Sequence, residues 1–297
     1  MSDLSELEQR AKSSGTAAMD LAERRLLGID CKPDQRAAFR AVEQAARLGH
    51  EDGRRAWVYL TAAGIGRKAD EPSARRMLAE LANEDRFAAL QLAFVQHVTC
   101  NQKLAEITPK IVSADPYIAL YPGLFSPAEC KYLAVLGTPW LERASVLGLS
   151  GEARMDPVRD AESCSIPNLA EDLVVQAINR CIAAATGTEP GWGEPLNILK
   201  YAPGQQYKPH HDGTGSDNVS VREQTALIWL NDQFEGGGTN FPKINVTVRG
   251  SVGDMLVFRN VRENGEFDER MIHAGLPVTE GVKWMASRWI RGEDYLK

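Results

Sequence analysis

After Glu194 the chain has little choice but to form sheet. Short segments at 195–201, 225–231, 245–249, 254–260, 271–278 and 283–291 follow one another, parted by turn residues such as Gly236-Gly237-Gly238 and Glu280-Gly281. Ile244, Val246 and Val248 alternate with Asn245, Thr247 and Arg249, the period of a half-buried antiparallel strand. Ile118 to Gly123 reads as an earlier strand and turn. Ser126-Pro127-Ala128-Glu129 then supplies an N-cap, a proline at the first helical position and the glutamate of a capping box. The helix it opens, over 127–137, buries Cys130, Leu133 and Leu136. Residues 148–167 form a loop with short strands, and a second amphipathic helix spans 169–186, ended by Gly187. Short strands after two helices predict a jelly-roll barrel braced by helices.

One stretch of this barrel carries metal chemistry. The strand ending at Tyr201 turns at Pro203-Gly204, and a second extended piece delivers His210-His211-Asp212. Residues i and i+2 of a strand share a face, so His210 and Asp212 stand side by side and His211 faces away. They are two members of a facial triad, two His and one carboxylate, which binds Fe(II) and leaves positions open for co-substrate and O2. The third member has to come from another strand, and His273 in Ile272-His273-Ala274-Gly275 is the candidate. If 271–284 folds as a hairpin about Glu280, His273 lies opposite Ser287 and shares a side with Lys283, about 13 Å away along the ribbon. An extended lysine and a five-carbon dicarboxylate laid end to end span such a distance. His273 then holds the metal while Lys283 pairs with the far carboxylate of a metal-chelating 2-oxoacid.

The remaining sequence sets limits on the setting of this chemistry. At 297 residues the chain suits one large domain or two modest ones. Cys31, Cys100, Cys130, Cys164 and Cys181 are odd in number and lack CxxC spacing, which points to reduced thiols and a cytoplasmic location. No apolar run approaches the length of a membrane span. Residues 1–108 hold 16 basic and 16 acidic side chains, leaving 18 and 24 in 109–297. The half with the metal motif is therefore the acidic half, and no basic footprint for a nucleic-acid partner is visible.

Residues 1–108 read as helix, rich in Ala, Leu, Arg and Glu. Leu27-Gly28-Ile29, Asp34 and Ala45-Ala46 are matched 36 residues later by Ala63-Gly64-Ile65, Asp70 and Leu81-Ala82. Stacked helical hairpins and an irregular helical cap both fit this pattern. The fragment from Ala56 to Gly66 and the repeat spacing resemble Sel1-like repeats, relatives of the tetratricopeptide repeat, over 15–98. His50 and His97 belong to these helices, at their surface or ends. Two domains follow: 1–108, all-α, and 109–297, the barrel, for an α+β chain.

Three motifs of the second domain agree in order and spacing with a known family. They are Tyr-x-x-Gly-Gln-x-Tyr-x-x-His-x-Asp at 201–212, Gly-Gly-x-Thr-x-Phe-Pro at 236–242, and His-Ala-Gly-x-Pro-Val-x-x-Gly-x-Lys-Trp at 273–284. Over 115–293 the chain resembles the prolyl 4-hydroxylase branch of Fe(II)/2-oxoglutarate dioxygenases. The resemblance implies a double-stranded β-helix, the cupin-like jelly roll, with iron on His210, Asp212 and His273. It implies that Lys283 binds 2-oxoglutarate, with Tyr201 and Leu227 beside it, and that Tyr207, Arg222, Glu194 and Trp289 line the substrate cleft with the loop 213–223. Leu227 and Leu230 are expected as apolar walls, and Thr239 as a turn residue at the barrel mouth.

The implied reaction hydroxylates a prolyl residue of a peptide or protein, with O2 consumed, 2-oxoglutarate converted to succinate and CO2, and ascorbate as reductant. The helical domain is a candidate for binding a protein partner. Two alternatives stand beside this: the same chemistry on a free amino acid or small metabolite, and a non-catalytic helical-repeat adaptor with a metal-binding barrel.

Overall fold

The computed structural model describes residues 4–95, 100–143, 145–147, 153–155, 158–213 and 220–296. Contacts divide the chain into two units, one of residues 1–98, 167–178 and 296–297, the other of 99–166 and 179–295. The first boundary thus falls earlier than 108, and the helical unit also takes in a segment near residue 170. His97 lies outside the described residues.

The helical unit is built from Leu4–Ala11, Gly15–Leu27, Gln35–Arg47, Glu51–Ala63, Glu71–Leu81 and Arg86–Val95. The repeat in the sequence is a repeat of helix ends. Gly28 (φ 72°) and Gly64 (φ 77°) close two helices in the left-handed conformation, which glycine adopts without the penalty of a Cβ. Asp34 and Asp70 each cap the next helix, accepting from the backbone N–H of Ala37 and Ser73. Small residues set the packing: Ala22, Ala41, Val42, Ala56 and Leu60 form one buried cluster. His50 is itself an N-cap, its ring accepting from Gly53 N–H. Among the described residues no helix is long and apolar enough to cross a membrane.

The second unit is built on two large antiparallel sheets, with two further two-stranded ribbons among the described residues. The larger has eight strands in the order Lys110–Ser113, Ile118–Tyr121, Met255–Arg259, Arg222–Trp229, Lys283–Arg291, Asn197–Tyr201, Glu162–Ser165 and Glu142–Arg143. The smaller has five: Val246–Val248, Thr239–Phe241, His273–Gly275, Gln206–His210 and Arg159–Asp160. Trp229, Phe241, Leu256, Phe258 and Met285 are buried in the barrel core. The helix Pro127–Gly137 starts as expected, with Ser126 and Glu129 satisfying each other's backbone N–H.

Three expectations need correction. The helix placed at 169–186 begins at Leu173, because the Asp172 carboxylate captures the N–H groups of Val174 and Val175, and Asn168–Ala170 winds as a separate 3-10 turn. The strand placed at 245–249 is shortened to Val246–Val248, since Asn245 sits in the left-handed region (φ 56°). The run 271–278 is broken, and its hairpin with 283–291 does not form. His273–Gly275 pairs with Gln206–His210 and Thr239–Phe241, Val278–Gly281 pairs with Phe234–Gly236, and Lys283–Arg291 belongs to the other sheet. Ser287 faces Leu227 and Asn197, not His273.

Candidate metal and co-substrate site

The broken strand makes the site. His210 ends one strand of the smaller sheet, and His273 begins its neighbour directly opposite. Asp212 follows in the turn, so one ligand atom from each of His210, Asp212 and His273 lies within 4.8 Å of the others. His210 Nε2 is 3.4 Å from Asp212 Oδ1, and His273 Nε2 is 3.5 Å from Oδ2. Both Nδ1 atoms sit against carbonyls two residues back, Lys208 O at 2.8 Å and Met271 O at 2.9 Å. A carbonyl only accepts, so each Nδ1 carries the proton and each Nε2 presents its lone pair to the cluster. Neutral imidazoles on a buried carboxylate are the donor set of a borderline divalent cation such as Fe(II), and the carbonyls fix the ring orientation a ligand needs.

Aromatic rings wall the cluster. Tyr207 stacks on His210 at 3.4 Å, and Phe258 meets the His273 ring at 4.8 Å. Burial pushes the His273 imidazolium down to about 4, keeping that ring neutral at physiological pH. Burial opposes ionisation of Asp212, whereas a hydrogen bond from the Thr225 hydroxyl favours the carboxylate. His211 turns away. Its Nδ1 accepts from Gly213 N–H and its Nε2 donates to Asp268 O at 3.1 Å, with Phe267 at its edge.

Lys283 reaches the same cavity from the opposite sheet. It begins the strand Lys283–Arg291, beside Tyr201, and is only 3% exposed. Its ammonium donates to Gly237 O at 2.5 Å and lies 5.4 Å from the Tyr201 ring. Gly237 leaves room for it, since a Cβ there would stand 3.0 Å from the lysine Cδ. No carboxylate of the described residues pairs with Lys283, and burial, with Arg249 adding to it, pulls its pKa down to about 7. A buried cation left without a counter-ion suits an anionic ligand.

The cleft between them is lined by the three cluster residues, Lys283, Tyr201, Leu227, Tyr207, Thr239 and Trp289 among others. Leu230 is buried but does not line it. Arg222 and Glu194 do not line it either. Glu194 takes two hydrogen bonds from Arg222, at 2.6 and 2.8 Å, and an ion pair from Arg291 at 2.6 Å. The Arg222 guanidinium lies 3.9 Å over the Trp289 ring, so the fork expected to face substrate is engaged within the chain. Residues 214–219 of the expected cleft loop lie outside the described residues.

Four residues of the site went unread in the sequence. Arg159 lines the cleft with its Cζ 4.4 Å from the Tyr207 ring, and Ser287 lines it with a hydroxyl that has no hydrogen-bond partner among the described residues. Thr225 and Asn260 stand behind Asp212. Nothing in their local pattern distinguishes them from ordinary sheet residues; only the pairing of distant strands brings them here.

A family model described as the 2OG-Fe(II) oxygenase superfamily matches residues 196–291. Prolyl 4-hydroxylase 1 of Arabidopsis thaliana is 31% identical over 209 residues, covering 64% of this chain and 74% of that protein. The prolyl 4-hydroxylase subunit alpha-3 of Homo sapiens is 32% identical over 204 residues, 65% of this chain but 37% of the subunit. Among solved structures, the viral collagen prolyl hydroxylase of Paramecium Bursaria Chlorella virus-1, in its 2OG complex, is 24% identical. It covers 61% of this chain and 99% of that one, with a TM-score of 0.48.

Proposed function

The chain belongs to the prolyl 4-hydroxylase family of 2OG-Fe(II) oxygenases, and from that membership we propose that it hydroxylates a prolyl residue held within a peptide or protein. Fe(II) is its metal, and 2-oxoglutarate and O2 are its co-substrates, with succinate and CO2 as products of the 2-oxoacid. One observation carries the reading. Across a single cleft, a cluster of two His and one Asp faces a buried lysine that no carboxylate of the described residues pairs with.

His210 and His273, through Nε2, and Asp212, through one oxygen, would hold the metal. Lys283 would bind the far carboxylate of 2-oxoglutarate, with Tyr201 and Leu227 bounding the co-substrate. Fe(II) with its two co-substrates supplies the oxidising power to functionalise an unactivated C–H bond. The protein's own work is orientation and exclusion of water. Buried Phe241, Phe258 and Met285 support the cluster and keep the site dry.

Tyr207 and Trp289 line the cleft and are proposed to contact a pyrrolidine ring laid along it. Glu194 and Arg222 support this surface: held by Glu194, the Arg222 guanidinium fixes Trp289 from behind, leaving the indole as the contact. Ascorbate is the proposed reductant that keeps the metal ferrous. The capped hairpins of the helical unit are proposed as a second contact with a macromolecular target, raising its local concentration without touching the chemistry.

Succinate release by the full chain with Fe(II) and 2-oxoglutarate tests the reading. Proline-containing peptides should stimulate it well above the substrate-free rate, and free proline should not. Stimulation by free proline above that by any peptide would transfer the assignment to a small-molecule substrate.

A further inference from the structure

Behind the metal cluster lies a hydrogen-bonded relay with an ordered polarity. The Thr225 hydroxyl is 2.8 Å from Asp212 Oδ2, and Asn260 Nδ2 is 3.0 Å from the Thr225 hydroxyl. Thr225 and Asn260 are fully buried, and Asp212 is 5% exposed. An ionised carboxylate only accepts, so Thr225 must give its single proton to Asp212. The hydroxyl then offers Asn260 nothing but lone pairs, which requires the amide to turn its NH2 inward. The opposite amide atom, Asn260 Oδ1, is left buried without a partner among the described residues. The amide therefore keeps this orientation at the expense of its own acceptor.

The backbone holds the relay rigid. Asn260 N–H donates to Glu223 O at 2.7 Å, and Asn260 O accepts from Asp268 N–H at 3.0 Å. Asp268 O in turn accepts from His211, the residue between two of the cluster's ligands. Thr225 sits mid-strand, paired with Phe258 on one side and Trp289 on the other, so its Cα has little freedom to shift.

We infer that Thr225, oriented by Asn260, is a positioning residue that occupies Oδ2 of Asp212 and so leaves the metal a single carboxylate oxygen. The inference rests on the reading of Asp212 as a metal ligand. Its consequence is a count. Two imidazoles and one carboxylate oxygen take three positions of a six-coordinate metal, and the rest are needed by the co-substrates. A carboxylate free to rotate and bind through both oxygens would take one of them.

The test is titration of the metal-free full chain with Mn(II) alone, followed calorimetrically, for wild type, Thr225→Val, Thr225→Ser and Asp212→Ala. Denaturation midpoints are measured in parallel, so that a loss of fold is separated from a loss of metal. Removing an outer partner of a ligand typically weakens metal binding about 10–100-fold, and Thr225→Val should fall in that range while remaining folded. Thr225→Ser, which restores only the hydroxyl, should return close to wild type. If Thr225→Val does not fold, Thr225→Ala removes the hydroxyl without adding a methyl against the carboxylate, and carries the same expectation. A hydroxyl-free variant with wild-type affinity, or a serine variant as weak as valine, overturns the inference. Wild-type affinity in Asp212→Ala would instead remove the reading beneath it.

Discussion

The state of Lys283 before co-substrate arrives leads to a prediction that can be worked through in numbers. Its ammonium is buried, hydrogen-bonded to one carbonyl and unpaired by any carboxylate of the described residues, and its pKa falls from 10.5 to about 7. That fall corresponds to about 5 kcal/mol disfavouring the charged form. If 2-oxoglutarate pairs with Lys283 as proposed, it binds the charged form and must offset this penalty, drawing a proton from solvent when it binds above pH 7. The apparent Kd is the intrinsic value divided by the charged fraction. It should therefore rise about fivefold from pH 7 to 8 and about tenfold from 8 to 9.

The assay is calorimetric titration of 2-oxoglutarate into chain saturated with Mn(II), at pH 8, in buffers of different ionisation enthalpy. The slope against that enthalpy should give close to one proton taken up per 2-oxoglutarate bound. In Lys283→Met the uptake should vanish and binding should weaken by at least roughly tenfold, the low end for truncating a buried charge pair. A Kd flat with pH, with no proton taken up by wild type, would place the charged lysine in a solvated setting and refute the reasoning.

The same lysine makes stability rise with pH: between about 7 and 10.5 the unfolded chain binds one more proton than the native one. Urea denaturation of the metal-free chain should show that positive slope in wild type and lose this contribution in Lys283→Met. His211→Ala strips the partners from Gly213 N–H and Asp268 O, and should cost about 1–3 kcal/mol of stability while metal binding survives; loss of metal without loss of stability would contradict it. Gly66 has φ 73°, and a Cβ there would lie 2.2 Å from Gln35 O. Gly66→Ala should therefore destabilise the helical unit by about 1–3 kcal/mol, seen as a lower helical denaturation midpoint.

What the sequence could disclose follows from the range of each signal. The 36-residue repeat of Gly28 and Asp34 in Gly64 and Asp70 is local chemistry, and those residues are helix caps in the fold. The His210–Asp212 spacing is likewise local, and period-two parity sufficed to put His211 outside the cluster. The mutual position of His273 and Lys283 was not legible, because alternation along a strand gives the face and not the partner. A hairpin was the nearest explanation for two residues ten apart, whereas the fold sets them on opposing sheets that face one cavity. Long-range pairing also hides Arg222, whose fork is closed by a glutamate 28 residues earlier, and Thr225, an unremarkable strand threonine until Asp212 is folded against it.

The reaction proposed for this chain divides the atoms of O2 between two products. Under heavy-isotope O2, with Fe(II), 2-oxoglutarate and a proline-containing peptide, the full chain should place one labelled oxygen on a prolyl carbon and the other in succinate, in equal amounts. His210→Ala should do neither. Labelled succinate without labelled peptide, across peptides that bind, would leave the 2-oxoacid chemistry standing and contradict the prolyl hydroxylase.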